Sequence, residues 1–250
     1  MSCYDALAAV YDWLIPTELL APLGSAEAFA GLVDLEPGAR VLDCACGPGH
    51  LAVGLALRGF DVVATDASEA MIDRTRALAE EHGATMTAQT CAWEDLAAHW
   101  GRSFDAVFCV GNSLAHAAGQ QARRRALTAM AAVVPTGGTV VVTSRNWKQV
   151  RAAGSGLEVA QQLVRRDGGA GLPIYAWWIP EDWDESHHFE IAVALVAPDG
   201  SVTTHGERMA FWPFGHDTLR GDLRAAGLKP TTTTYSDEGS RYLVTARRAA

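Results

Sequence analysis

The sequence predicts an α/β fold: a mainly parallel sheet with helices on both faces, plus an antiparallel β insertion near its end. Three observations predict it. Between Ala39 and about Arg145, short apolar runs alternate with helical stretches, the pattern of strands wound with helices. Beyond Arg151 the pattern changes to longer strand-like runs joined by an Asp199-Gly200 turn. A helix and two further strand-like runs then close the chain.

The elements follow in order. Arg40–Asp43 reads as a strand ending in a Gly-rich turn, and His50–Arg58 as a helix stopped by Gly59. Val62–Thr65 is a second strand. Ser68–Glu81 is a helix with Ser68 as N-cap and Gly83 just past its end. Thr85–Thr90 and Phe104–Val110 are the third and fourth strands. Gln120–Val133 is helical and stops before Pro135, and Thr139–Thr143 is the fifth strand. The insertion carries strands at Ile174–Ile179, Phe189–Ala197 and Val202–Phe211. Asp217–Ala226 is then a helix, followed by Lys229–Tyr235 and Tyr242–Ala246 as a closing pair of strands. The division is therefore an N-terminal helical cap (1–38), a nucleotide-binding core (39–147), an antiparallel substrate cap (148–213) and a closing helix with strands (214–250).

Composition narrows the function. The 250 residues suit one large domain or a domain with an insertion, and 49% hydrophobic residues suffice for a sizeable core. A net charge of −9 opposes a nucleic-acid interface, which needs surplus cations for phosphate contacts. Lys148 and Lys229 are the only lysines, so no polybasic patch points to a membrane. No basic residue precedes Arg40 and no apolar run approaches a membrane span, so no secretory signal or span is expected. Cys3, Cys44, Cys46, Cys91 and Cys109 form no C-x-x-C pair and read as reduced thiols of a cytoplasmic protein.

The segment richest in chemistry is Val41-Leu42-Asp43-Cys44-Ala45-Cys46-Gly47-Pro48-Gly49-His50-Leu51-Ala52. A Gly-rich turn between strand and helix lets a ligand approach the backbone. Asp43 ends the strand just before that turn. It would repel a pyrophosphate docked there and attract a sulfonium cofactor bearing an ammonium group, so Coulomb sign favours S-adenosylmethionine over NAD. Asp66 ends the second strand and is placed to hold ribose hydroxyls, a role common to both cofactors.

These residues resemble the class I S-adenosylmethionine-dependent methyltransferases, with their Rossmann-like seven-stranded sheet, and most closely the glycine N-methyltransferase-like branch. The resemblance rests on D-x-A-C-G-x-G at Asp43–Gly49 and on Ala92-Trp93 after the third strand. It rests also on Cys109-Val110-Gly111-Asn112-Ser113-Leu114-Ala115-His116 after the fourth and Arg145-Asn146-Trp147 after the fifth. It covers residues 39–147 well and the C-terminal segment loosely. It implies a cofactor-binding set of Tyr4, Asp43, Ala45, Gly47, Asp66, Ala67, Met71, Ala92, Trp93 and Val110, with Ala92 and Trp93 flanking the adenine. Tyr4 and Tyr11, in Y-D-x-x-A-x-x-Y-D-W, resemble tyrosines that close over the sulfonium; their spacing also suits packing on one helix face.

The expected reaction is methyl transfer to a small molecule, with an amine or amino-acid-like acceptor attacking in line. His116, Tyr11 and Asn112 are its candidate catalytic residues, and Asn112, Arg145, Trp147 and Trp178 its candidate acceptor contacts. Arg145 lies at a strand's carboxyl end, where its guanidinium can grip a carboxylate; the alternative is an ion pair with an acidic residue of 5–36. His116 has an ordinary pKa suited to accepting an ammonium proton. Trp177, Trp178, Trp183 and Trp212 form either an aromatic lid or the insertion's own core. Gly111-Asn112 and Arg145-Asn146 stand where metal-dependent relatives place carboxylates, so no metal is expected. His187 and His188 face opposite sides of a strand and cannot pair on one ion. [DN]-P-P-[YFW], the mark of amine methylation on bases, is absent.

Departures from the glycine enzymes matter. Residues 1–39 hold six acids and neither Arg nor Lys, so no N-terminal Arg is there to hold the cofactor carboxylate. Ser144 and Trp147 replace the His and Tyr that flank the family's Arg-Asn pair. Alternatives are an O- or C-methyltransferase of a natural-product intermediate, an NAD-dependent oxidoreductase or a non-catalytic S-adenosylmethionine sensor. A homo-oligomer is compatible with the sequence.

Overall fold

The computed structural model describes residues 4–29, 33, 35–159, 163–166 and 168–249. Cys3 lies outside the described residues. The N-terminal cap is a 3₁₀ segment, Ala8–Leu14, followed by two short helices, α1 (Thr17–Leu20) and α2 (Pro22–Glu27). The core then alternates β1 (Arg40–Asp43), α3 (His50–Leu57), β2 (Asp61–Asp66), α4 (Glu69–Glu81) and β3 (Thr87–Thr90). It continues through α5 (Leu96–His99), β4 (Ala106–Cys109), α6 (Gly119–Ala132) and β5 (Thr139–Arg145). Next come α7 (Trp147–Ala153), β6 (Gly156–Val159), β7 (Val164–Arg166), β8 (Gly169–Trp178), β9 (His187–Val196) and β10 (Val202–Phe211). The chain closes with α8 (His216–Ala225), β11 (Leu228–Thr233) and β12 (Arg241–Arg248).

The seven-stranded sheet has the order β11-β12-β5-β4-β1-β2-β3. Strands β3, β2, β1, β4 and β5 run parallel, and β12 and β11 pair antiparallel at one end. The order turns outward from β1 to β2 on one side and β4 on the other, the switch point where such sheets bind ligands. Strand residues alternate between two cores. Leu42, Val63, Val107 and Val142 face α6, α8 and the insertion, whereas Val41, Val62, Ala106 and Val141 face α3 and α4.

The insertion is a second, antiparallel sheet ordered β10-β9-β8-β6, with β7 also on β8. Phe189, Ile191 and Val193 of β9 enter the same core as Leu42 and Val142, so this sheet docks on the main one through continuous apolar packing. The N-terminal segment is pinned across both. Asp12 pairs with Arg74 of α4 and His50 of α3, and Arg166 of β7 donates to the carbonyls of Asp12 and Ile15. The N-terminal segment thus runs over the strand ends, from Ser68 and His116 to Gly171 of β8, and the region beneath it is the candidate cleft.

Candidate active site

The Gly-rich turn after β1 is held from several sides. Gly47 and Gly49 both take positive φ, +54° and +92°, conformations that favour glycine. The Gly47 amide donates to Asp66 Oδ2 at 2.9 Å, and Thr75 Oγ1 donates to the Gly47 carbonyl at 2.8 Å. Asp66 Oδ1 also accepts from the Ser68 amide at 2.9 Å, so one carboxylate ties the turn to the start of α4. Ser68 caps α4, accepting from the Met71 amide, and donates to Asp5 Oδ1 at 2.6 Å. A Cβ on Gly49 would stand 2.7 Å from Thr75 Cγ2, on a backbone that already disfavours L residues. Gly49→Ala is therefore expected to cost about 1–3 kcal/mol of stability, read by urea unfolding. An unchanged midpoint would contradict the close approach.

Asp43 is fully buried, and neither carboxylate oxygen has a hydrogen-bond partner among the described residues. Burial, reinforced by the nearby Asp66 charge, pushes its pKa up to about 7, with the Ala45 amide offsetting only part of the shift. A buried carboxylate left without a donor requires a cation or a proton. Space beside Gly47 is open, since a Cβ there would meet nothing within 4 Å. These features fit a cofactor that brings an ammonium group to the turn. Ala45, Gly47, Ala92, Trp93 and Val110 are part-exposed and Ala67 is exposed along the same strand ends, while Met71 is buried behind them. Trp93 is fixed by its indole N–H, which donates to the Cys44 carbonyl at 2.7 Å, leaving the ring to act by its face.

At the other end of the cleft, Tyr4 and Tyr11 meet edge to face, 5.7 Å between centroids. The segment around Tyr4 is a turn and the one around Tyr11 is 3₁₀, so the two rings do not share an α-helical face. Tyr4 Oη lies 2.7 Å from His116 Nε2. The His116 ring packs on Phe211 at 4.6 Å, and burial pushes its pKa down to about 4. A pKa that low makes neutral His116 a weak base, which corrects the expectation of an ordinary histidine suited to take an ammonium proton.

Asn112 has φ +71° and is buried, and its Oδ1 accepts from the Arg145 amide at 3.0 Å. It thus fastens the end of β4 to the end of β5 and fixes where Arg145 leaves the sheet. The Arg145 guanidinium forms no ion pair and no hydrogen bond among the described residues. Of the six acids expected to compete for it, Asp12 pairs with Arg74, Glu27 pairs with Arg58 and Asp5 accepts from Ser68; Glu18 and Glu36 form no ion pair with it, and Asp34 lies outside the described residues. Arg145 instead lies over the Trp177 ring, 5.3 Å from its centroid. Burial and the neighbouring Arg241 push its pKa down to about 10.

Two tryptophans are placed otherwise than expected. Trp147 is 1% exposed, packed among Trp177, His187 and Phe211, so it is part of the core that seats the insertion rather than a cleft wall. Trp178 is 57% exposed, one residue beyond Trp177 on a strand, and so stands on the opposite face, beside His188 and Trp212. Trp177, not Trp178, faces Arg145. The sequence reading also missed Tyr175, two residues before Trp177 on the same face, and Arg241, directly opposite Arg145 across β5 and β12. Strand parity carried the signal for Trp177; nothing local carried it for Arg241.

Comparison with known proteins agrees with this geometry. Residues 41–138 match the family model described as a methyltransferase domain. A glycine/sarcosine N-methyltransferase from Aphanothece halophytica is 32% identical over 206 residues, 81% of this chain and 71% of that protein. One from Parasynechococcus marenigrum is 36% identical over 121 residues, 48% of this chain; the match spans 43% of that relative's length. The sugar N-methyltransferase KedS8 from Streptoalloteichus has the same fold, with a TM-score of 0.72 at 23% identity, over 96% of this chain and 93% of that one. These matches show that the chain belongs to the S-adenosylmethionine-dependent methyltransferases, in the family that contains the glycine/sarcosine N-methyltransferases.

Proposed function

We propose that this chain transfers a methyl group from S-adenosylmethionine to the amine nitrogen of a small, amino-acid-like acceptor by direct in-line displacement. The observation that carries this reading is the Arg145 guanidinium, free of any carboxylate among the described residues, at the carboxyl end of β5, over Trp177 and within electrostatic reach of Tyr4. The glycine/sarcosine relatives support an amine acceptor by name.

When bound, S-adenosylmethionine supplies a methyl carbon whose bond to sulfur breaks as the amine lone pair attacks. The chain's own residues do the positioning. Asp43 holds the ammonium end of the cofactor, and Asp66 holds the ribose while bracing Gly47 and Ser68. Arg145 grips the acceptor carboxylate, and Asn112 sets its origin. Neutral His116 accepts the Tyr4 hydroxyl proton in a hydrogen bond and so fixes the Tyr4–Tyr11 pair over the reacting centre. Alignment of this kind supplies up to ~7–11 kcal/mol of barrier reduction in favourable cases.

Arg145→Ala is expected to raise the acceptor KM at least tenfold, about 1.4 kcal/mol or more, while the cofactor Kd barely moves. Arg145→Lys rescues poorly, because an ammonium lacks the guanidinium fork. Steady-state series in acceptor and in cofactor measure this; wild-type acceptor kinetics in Arg145→Ala would sink the carboxylate clamp. Because His116 titrates near 4, the rise of rate with pH should follow the acceptor amine's pKa and survive in His116→Asn.

No group of three metal-ligating side chains lies together among the described residues, and Asn112 and Arg145 occupy the strand ends. Turnover is accordingly expected to persist in EDTA. Loss on chelation with recovery on Mg²⁺ would require a metal in the mechanism.

A further inference from the structure

Arg241 begins β12 and sits directly across from Arg145 of β5 in the antiparallel register. Directly opposed like charges destabilise a sheet unless something compensates them. Neither guanidinium has a hydrogen bond or an ion pair among the described residues; the nearest electrostatic neighbours are Tyr175 to both, Glu158 and Tyr4 to Arg145, and Tyr11 to Arg241. Glu158 lies too far for an ion pair and is itself exposed. Register-opposed residues share a sheet face, so the two guanidiniums stand side by side at the ends of β5 and β12, Arg145 over Trp177 and both within electrostatic reach of Tyr175, with five N–H donors each. Arg241 is exposed to water and Arg145 half-buried, so one monocarboxylate would engage Arg145 alone, whereas two acidic oxygens bearing two charges could engage both.

We propose that Arg145 and Arg241 form a dianion subsite, so that the acceptor is an amine carrying two negative charges on acidic oxygens, as in an aminodicarboxylate or an aminophosphonate. Arg241 is then the residue that selects dianions over simple amino monocarboxylates. This rests on Arg145 being the acceptor clamp, and the test separates the two claims.

The experiment is calorimetric titration of the S-adenosylmethionine-loaded protein with acetate, malonate and methylphosphonate, at a pH where the last two are dianions. Wild type, Arg241→Gln, Arg241→Lys and Arg145→Gln are compared, with circular dichroism as the check on folding. In wild type, at least one dianion should bind roughly tenfold or more tighter than acetate, as expected for an added charge-assisted pair. Malonate and methylphosphonate tell a dicarboxylate from a phosphonate head. Arg241→Gln should bring the preferred dianion down to the acetate level with little change in acetate itself, and Arg241→Lys should keep part of the preference. A merely structural role for Arg241 would weaken all three anions together and leave their ratio unchanged. An unaltered ratio in Arg241→Gln, or no dianion preference in wild type, overturns the subsite while the clamp stands. If Arg145→Gln also leaves all three anions unaffected, the clamp falls and the subsite with it.

Discussion

Asp222→Ala is expected to remove about 3–5 kcal/mol of stability, enough to unfold much of a marginal domain. Asp222 is fully buried on α8. It accepts from Arg123 at 2.8 Å, from Arg124 at 2.6 Å and from Gln120 at 3.2 Å, all on α6. Arg123 is 3% exposed and lies over the Phe214 ring at 4.7 Å. Removing the carboxylate strands a buried guanidinium with no counter-charge, which costs more than the pair itself contributes. The double change Asp222→Leu with Arg123→Met should therefore recover most of the loss. Urea unfolding of the single and double variants measures both. A single variant within about 1 kcal/mol of wild type would mean that Arg123 reaches water and that the pair does not join the helices. Function follows from the same contact, because α8 leads into β11 and β12, and β12 carries Arg241.

The main sheet was legible because its signals are local. Ser68 caps α4, Pro135 ends the α6 region, and Asp199-Gly200 turns β9 into β10, each at the expected place. The start of β8 was not. Gly169-Ala170-Gly171-Leu172-Pro173 has weak strand propensity, yet β8 includes it. Two contacts explain why. A Cβ at Gly171 would stand 2.3 Å from the Trp13 ring, so the glycine exists to admit the N-terminal segment. Pro173 stands opposite Val193 of β9 and, on the other side of β8, falls between the stretches paired with β7 and β6, so its missing N–H interrupts neither of those two ladders. The Gly-rich turn and the two aspartates that end β1 and β2 were readable from spacing alone. The acceptor end depends on how β8 and β12 dock against β5, which no local pattern encodes. That is why Arg241 emerged only in three dimensions, whereas strand parity could have chosen Trp177 over Trp178.

Asp43→Asn is expected to make the unliganded protein more stable while weakening S-adenosylmethionine binding roughly 100-fold, about 3 kcal/mol, the scale of losing one partner of a buried charge pair. The two effects have one cause. Asp43 has no partner within hydrogen-bond distance among the described residues, and burial and Asp66 raise its pKa from 3.8 to about 7 against a weaker pull from the Ala45 amide. A raised folded pKa means that the native state holds a proton which the unfolded chain has released. This contribution to stability is fully present below pH 3.8 and is lost as pH rises through about 7. Asparagine never pays that ionisation penalty, so the variant should gain on the order of 1–3 kcal/mol above neutral pH and lack this component of the pH dependence. Cofactor binding has the opposite sign, because an ammonium partner needs the carboxylate ionised. Wild-type affinity should climb as pH rises toward about 7, by up to tenfold per unit, and level off above it. In Asp43→Asn that climb should vanish. Calorimetry across the range, paired with thermal unfolding of the unliganded forms, reads both limbs. A variant that loses affinity and stability together would show Asp43 to be a structural acceptor. Equal affinity at every pH would remove it from the cofactor site.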